Sequence, residues 1–154
     1  MSANSAMPWR WRERPTKERV LVFASRFDGQ GNGGGRRSKG ALRLMRHSLR
    51  IRKQVLRTPG AIGVSLYARP IRGEYYTVSA WQDEASLMAF ARTGAHRAGV
   101  RDLYAHGNVN GVLISWWADA DNWQPSWDDA IRRTAAATPG PFVGPDASVQ
   151  RSEA

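Results

Sequence analysis

EYYTVSAWQDEASLMAFARTGAHRAGVRDLYAHGNVNGVLISWW, residues 74–117, reads as a strand, an interrupted helix and a second strand in succession. Tyr75, Thr77, Ser79 and Trp81 alternate with Tyr76, Val78 and Ala80, the period of an extended chain with two distinct faces. Asp83 and Glu84 then put negative charge where a helix begins, as the helix dipole favours. Leu87, Met88, Phe90 and Ala91 supply that helix with a buried side. Gly94, after Thr93, lets it bend or restart, and a basic helical turn follows from His96. Asn108 and Gly111 bracket a turn into VLISWW, an apolar closing strand.

Working outward, RVLVFASRF (19–27) is another strand, with Val20, Val22 and Ala24 on one side and Leu21 and Phe23 on the other. DGQGNGGGRRSKG (28–40) is a cationic loop. ALRLMRHSLRIRKQVLR (41–57) is a helix, with Leu42, Met45, Leu49 and Leu56 near one face and Arg43, Arg46, Arg50, Lys53 and Arg57 on another. Thr58-Pro59-Gly60 stops it, AIGVSLYARP (61–70) is a strand, and Arg72-Gly73 turns that strand back into residues 74–81 as a hairpin. The order β, α, β, β, α, β predicts an α+β, ferredoxin-like fold, an antiparallel sheet with both helices on one face. Such a sheet ordinarily alternates apolar and polar residues, yet its first and last strands are apolar on both sides. The second face therefore needs a cover, and the sheet of a second copy is the simplest one. A homodimer is expected.

The chain has 154 residues, 42% of them hydrophobic, which suits one core. Residues 20–118 are expected to form the domain, with an arm at 1–19 and an extension at 119–154. In the extension Pro125-Ser126 caps a short helix from Trp127 to about Ala137, and the end is expected to lack order. No apolar run approaches the roughly 18 residues of a membrane span, and the opening lacks the apolar centre of a signal peptide, so a cytoplasmic location is expected. Without cysteine there are no disulfides, thiolate nucleophiles or iron-sulfur ligands. The net charge is +10, and residues 29–73 hold eleven Lys or Arg and no Asp or Glu. Such a field attracts nucleic acid, an anionic membrane surface or an acidic small molecule. Twenty of the 23 basic residues are Arg, a bias that the nucleotide composition of the source accounts for in an Arg- and Ala-rich chain, so a solvated basic face outweighs a nucleic-acid partner.

Gly29, Gly31 and Gly34 fit G-x-G-x-x-G, but no acidic residue follows before Glu74, and the loop lacks the Gly-Lys-Ser/Thr ending of a phosphate-binding loop. No H-x-x-x-H pair exists, and among the three histidines only His106 has a helical i, i+4 carboxylate, Asp102. No metal site is expected. His96, just after the helix break, is placed to face a cleft between helices and sheet as a general base. Trp81, Trp116, Trp117, Trp123 and Trp127 are concentrated in one part of the chain. Trp116 and Trp117, as strand neighbours, face opposite ways. Aromatic walls of this kind hold flat ligands, or fill cores and interfaces. No G-x-S-x-G nucleophile elbow occurs.

From Val20 to Trp117, and above all in VSAWQDEASLMAFARTGAHR (78–97), the sequence resembles the antibiotic biosynthesis monooxygenase branch of the dimeric α/β-barrel superfamily. WWADADNWQPSWDDAIRR (116–133) further resembles a bacterial branch related to spheroidene monooxygenase. The resemblance implies a ligand cleft between helices and sheet with Ser25, Ser79, Trp81, Phe90 and His96 around it, and Trp116 and Trp117 as further aromatic walls. It implies a homodimeric oxygenase, needing no cofactor, that acts on a small aromatic or polyene compound. His96 would remove a substrate proton, and Arg97 or Arg101 would stabilise negative charge. Haem-degrading relatives carry a ligand histidine ten residues after the helix aromatic. Here that position is Val100, and Ser25 replaces their strand amide, which disfavours haem. Two other readings remain: an accessory protein whose basic helix meets nucleic acid or an acidic partner, and a haem-binding protein.

Overall fold

The structure, a computed structural model, describes residues 5–28, 39–69, 72–106, 110–137, 140–141 and 150–151. The glycine-rich fingerprint at 29–34 and the side chain of His106 lie outside the described residues.

Four long strands form the sheet: β3 (Arg19–Asp28), β4 (Ala61–Arg69), β5 (Glu74–Trp81) and β6 (Asn110–Asp119). They run antiparallel in the order β4, β5, β3, β6. Helix α1 (Lys39–Val55) links β3 to β4, while α2 (Glu84–Ala91) and α3 (Gly94–His106) link β5 to β6. This is the ferredoxin-like α+β arrangement, with the 74–117 segment supplying a strand, an interrupted helix and a strand. Two short arm strands, β1 (Ser5–Ala6) and β2 (Arg10–Trp11), extend the sheet beyond β4, and helix α4 (Trp127–Ala136) follows β6. Beyond β6 the sheet gains β7 (Gly140–Pro141) and β8 (Gln150–Arg151). No helix among the described residues is long and apolar enough to cross a membrane.

The helix side of the sheet is built by alternate residues. Leu21, Phe23, Ala61, Val64 and Trp81 pack against Val55 of α1 and Leu87 and Phe90 of α2. A bulge between Ala61 and Gly63 turns Ile62 to the other side, where it is fully buried. Gly63 is required there, since a Cβ would stand 2.6 Å from the Arg10 carbonyl oxygen and 2.7 Å from the Trp9 ring of the crossing arm. Asp83 caps α2 by accepting from the Ser86 amide at 2.9 Å and the Ser86 hydroxyl at 2.7 Å. These bonds, with the Lys17 ammonium beside them, pull the carboxyl down to about 2.

Two sequence expectations change. Within α1 the buried apolar residues are Leu44 and Val55, whereas Leu42, Met45 and Leu49 face outward. The helix is rotated so that the sheet takes a different stripe from the one the leucines and methionine suggested.

The second change concerns the cover of the other sheet face. Val20, Val22, Ala24, Val78, Ala80, Val112, Ile114 and Trp116 are at most 6% exposed within a single chain. Ala130 of α4 is buried among them, and Trp9, Trp123 and Trp127 pack around the edge. Arg133 lies over the Trp116 ring, 4.6 Å from its centroid. The apolar face does require a cover, but arm and extension supply it, and the need for a second sheet disappears.

This packing predicts that Ala130→Glu, which buries a carboxylate against the valines, lowers stability by more than about 3 kcal/mol in denaturant titration. Ala135→Glu, on the exposed side of the same helix, is expected to stay within about 0.5 kcal/mol of the parent.

Candidate active site

A narrow cleft lies between the helices and the sheet. Its floor is Phe23, Ser25 and Phe27 of β3 with Thr77 and Ser79 of β5. Its roof is Leu44, His47, Ser48, Ile51 and Val55 of α1, and Phe90, His96 and Val100 close one side. The cavity volume, about 20 Å³ for a water-sized sphere, admits about one water. A substrate-sized molecule therefore enters only when the walls of the cleft move apart.

The break between α2 and α3 positions His96. Gly94 takes a φ of 58°, a left-handed conformation that glycine adopts without strain. Gln54 of α1 then ties the break together. Its amide nitrogen donates to the carbonyls of Phe90 at 3.1 Å and Thr93 at 3.0 Å, and its oxygen accepts from the His96 amide at 2.7 Å. The His96 ring stacks at a tilt on Phe90, with centroids 4.8 Å apart. Its Nδ1 donates to the Ala91 carbonyl oxygen at 2.9 Å, because a carbonyl can only accept. That bond fixes the tautomer and leaves the lone pair on Nε2. Burial pushes the His96 pKa below its ordinary value, and the Ala91 bond only partly opposes it, so the neutral, proton-accepting form is favoured.

A second imidazole reaches the cleft from α1. His47 Nε2 lies 2.7 Å from Asp102 Oδ2 of α3, and Arg43 Nε stands 3.6 Å from the same oxygen. This contact joins two helices whose residues are 55 apart in sequence. No local pattern could have shown it. Gly99 sits at the contact, where a Cβ would approach His47 Nδ1 and Ile51 to 3.4 Å.

Of the residues singled out in the sequence, Ser25, Ser79, Phe90 and His96 come together around the cleft. Trp81 does not line it. The indole is wholly buried behind Phe90, with centroids 4.9 Å apart, and its Nε1 donates to Ser79 Oγ at 2.9 Å. Arg97 and Arg101 are on the exposed side of α3, because His96 and Val100 occupy its inner side. Trp116 belongs to the opposite sheet face under Arg133, and Trp117 is 40% exposed with the Arg19 guanidinium 5.8 Å from its ring. Sequence reasoning missed His47 and Gln54.

A roomier cavity of about 250 Å³ opens on the other side of the sheet, between the arm and the start of α4. Met7, Pro8, Trp9, Ser65, Val78 and Trp127 are among its walls, and no titratable side chain is. Size alone would favour it, but the groups able to move a proton are in the narrow cleft. Among the described residues no three His, Asp or Glu side chains gather as metal ligands would.

Comparison with known proteins bears on the same region. No curated protein matches the chain. Among solved structures it is similar to the crystal structure of a mutant of SnoaB, a cofactor-independent oxygenase from Streptomyces nogalater. The identity is 16%, the TM-score 0.46, and the match covers 62% of this chain and 90% of that one. Residues 40–102 match the antibiotic biosynthesis monooxygenase family model. That range holds α1, the β4–β5 hairpin, α2 and the start of α3, hence His47, Gln54, Ser79, Phe90 and His96. The part of the chain that carries both cleft histidines is thus similar to the antibiotic biosynthesis monooxygenase family.

Proposed function

We propose that the protein is a cofactor-independent monooxygenase that takes an aromatic or polyene substrate bearing an acidic hydroxyl into the cleft under α1. The carrying observation is His96, which lines that cleft as a neutral imidazole whose Nδ1 hydrogen is held by the Ala91 carbonyl. In a phenol, Nε2 takes the hydroxyl proton and forms an electron-rich phenolate. The phenolate gives one electron to dioxygen, and the radical and superoxide combine to form a carbon–oxygen bond. The O–O bond of the resulting peroxide then breaks. One oxygen stays on the ring as a quinone carbonyl, and the other leaves as water with the ring hydrogen and the proton that His96 carried. Substrate and dioxygen alone balance this step.

The hydroxyls of Ser25 and Ser79 donate hydrogen bonds to the anion from the cleft floor. Both residues are almost wholly buried, where such bonds are strengthened. Arg97 and Arg101 have no part in this scheme because they are exposed. The homodimer implied by the family resemblance remains part of the proposal, without the physical ground that an open sheet face would have lent it.

Oxygen uptake with a panel of naphthols tests the reading. His96→Ala is expected to lower turnover by about 100-fold or more while the fold persists, the usual worth of a general base. Unchanged turnover would remove His96 from the mechanism. Because burial lowers the His96 pKa, the base becomes half protonated only at a pH below 6.5, its ordinary value. The midpoint of the acid-side fall in rate should therefore lie below about pH 6.5, with the His96 ring titrating at the same midpoint by NMR. A decline centred above that pH would contradict the burial described.

A further inference from the structure

Helix α1 has two working faces. One roofs the cleft through Leu44, His47, Ser48 and Ile51. The other presents Leu42, Met45 and Leu49 to solvent, 62%, 36% and 46% exposed. At about 100° per residue these three fall within one narrow stripe. Arg46, Arg50 and Lys53, all exposed, lie beside the stripe, with Arg43 farther round the helix. The helix, KGALRLMRHSLRIRKQV, contains no Asp or Glu. Asp102, the carboxylate of neighbouring α3, turns toward His47 and Arg43.

Each half of this surface narrows the choice of partner. An apolar stripe on successive turns is costly in water unless something covers it. A nucleic-acid backbone would satisfy the cations but leave Leu42, Met45 and Leu49 without use. An anionic bilayer surface satisfies both, since leucine and methionine enter the acyl boundary while arginine and lysine meet the headgroups. We propose that α1 docks this protein on anionic lipid surfaces, lying in the plane of the membrane. The docked helix is the one that roofs the cleft, so docking sets that roof where apolar compounds partition. The proposal does not depend on the oxygenase reading, since vesicle binding can be measured without turnover.

The test is cosedimentation of the full chain with vesicles of phosphatidylcholine, with and without phosphatidylglycerol. Binding is expected to the anionic vesicles, to weaken as salt is raised, and to be slight on phosphatidylcholine alone. Leu42→Ser with Leu49→Ser, and separately Arg46→Gln with Arg50→Gln, are each expected to reduce binding by about tenfold or more. All four side chains are exposed, so thermal unfolding should stay near that of the parent and confirm that the variants fold. Absence of binding to the anionic vesicles, or binding that survives both pairs of substitutions, would overturn the proposal. So would duplex DNA binding lost with the arginine pair but kept with the leucine pair, in the absence of vesicle binding.

Discussion

The sheet's central strand is apolar on both sides, and the rest of the fold is arranged around that. Val20, Val22 and Ala24 face one way, Leu21 and Phe23 the other, and none is more than 5% exposed. At about 25 cal/mol for each Å² of apolar surface kept from water, neither side can be left open without a large loss. α1 and α2 seal one face. The arm and α4 seal the other, with Ala130 small enough to bring its helix close to the valines and Trp9, Trp123 and Trp127 closing the margins. The arm and α4 are thereby structural parts of the sheet's core.

Sealing from both sides gives the two faces different characters. The α4 side carries a cavity with no titratable walls. The helix side brings two imidazoles to a tight cleft, because α1 and α3 approach each other at Gly99 and α2 is interrupted at Gly94. Gln54 spends all three of its hydrogen bonds on that interruption, which makes the place of His96 a consequence of helix packing and not of loop conformation. The same packing turns the other side of α1 to solvent with its leucines and arginines together.

The fold was legible because its signals are local. Alternation in 74–81, the acidic cap at Asp83, the break at Gly94 and the Pro-Gly stop after α1 each follow from nearest neighbours along the chain. His96 was legible for the same reason, since it follows the break. What failed were inferences about which partner a surface meets. Leu42, Met45 and Leu49 formed a good apolar stripe, but the structure buries Leu44 and Val55 instead. The apolar second face was read correctly as needing a cover, but the covering element could not be chosen without knowing where α4 would land. His47 and Asp102 are far apart in sequence and meet only when the helices pack. Arg97 and Arg101 came from the family resemblance, and in the structure both are exposed.

The central claim, that one chain closes its own sheet, is tested most directly by isotope-filtered NMR on a mixture of labelled and unlabelled protein. The account predicts contacts between the Ala130 methyl and the methyls around Val22 and Ile114 within labelled chains, with none crossing between labelled and unlabelled chains. Finding those contacts only between chains would contradict it, and would return the second face of the sheet to a partner subunit.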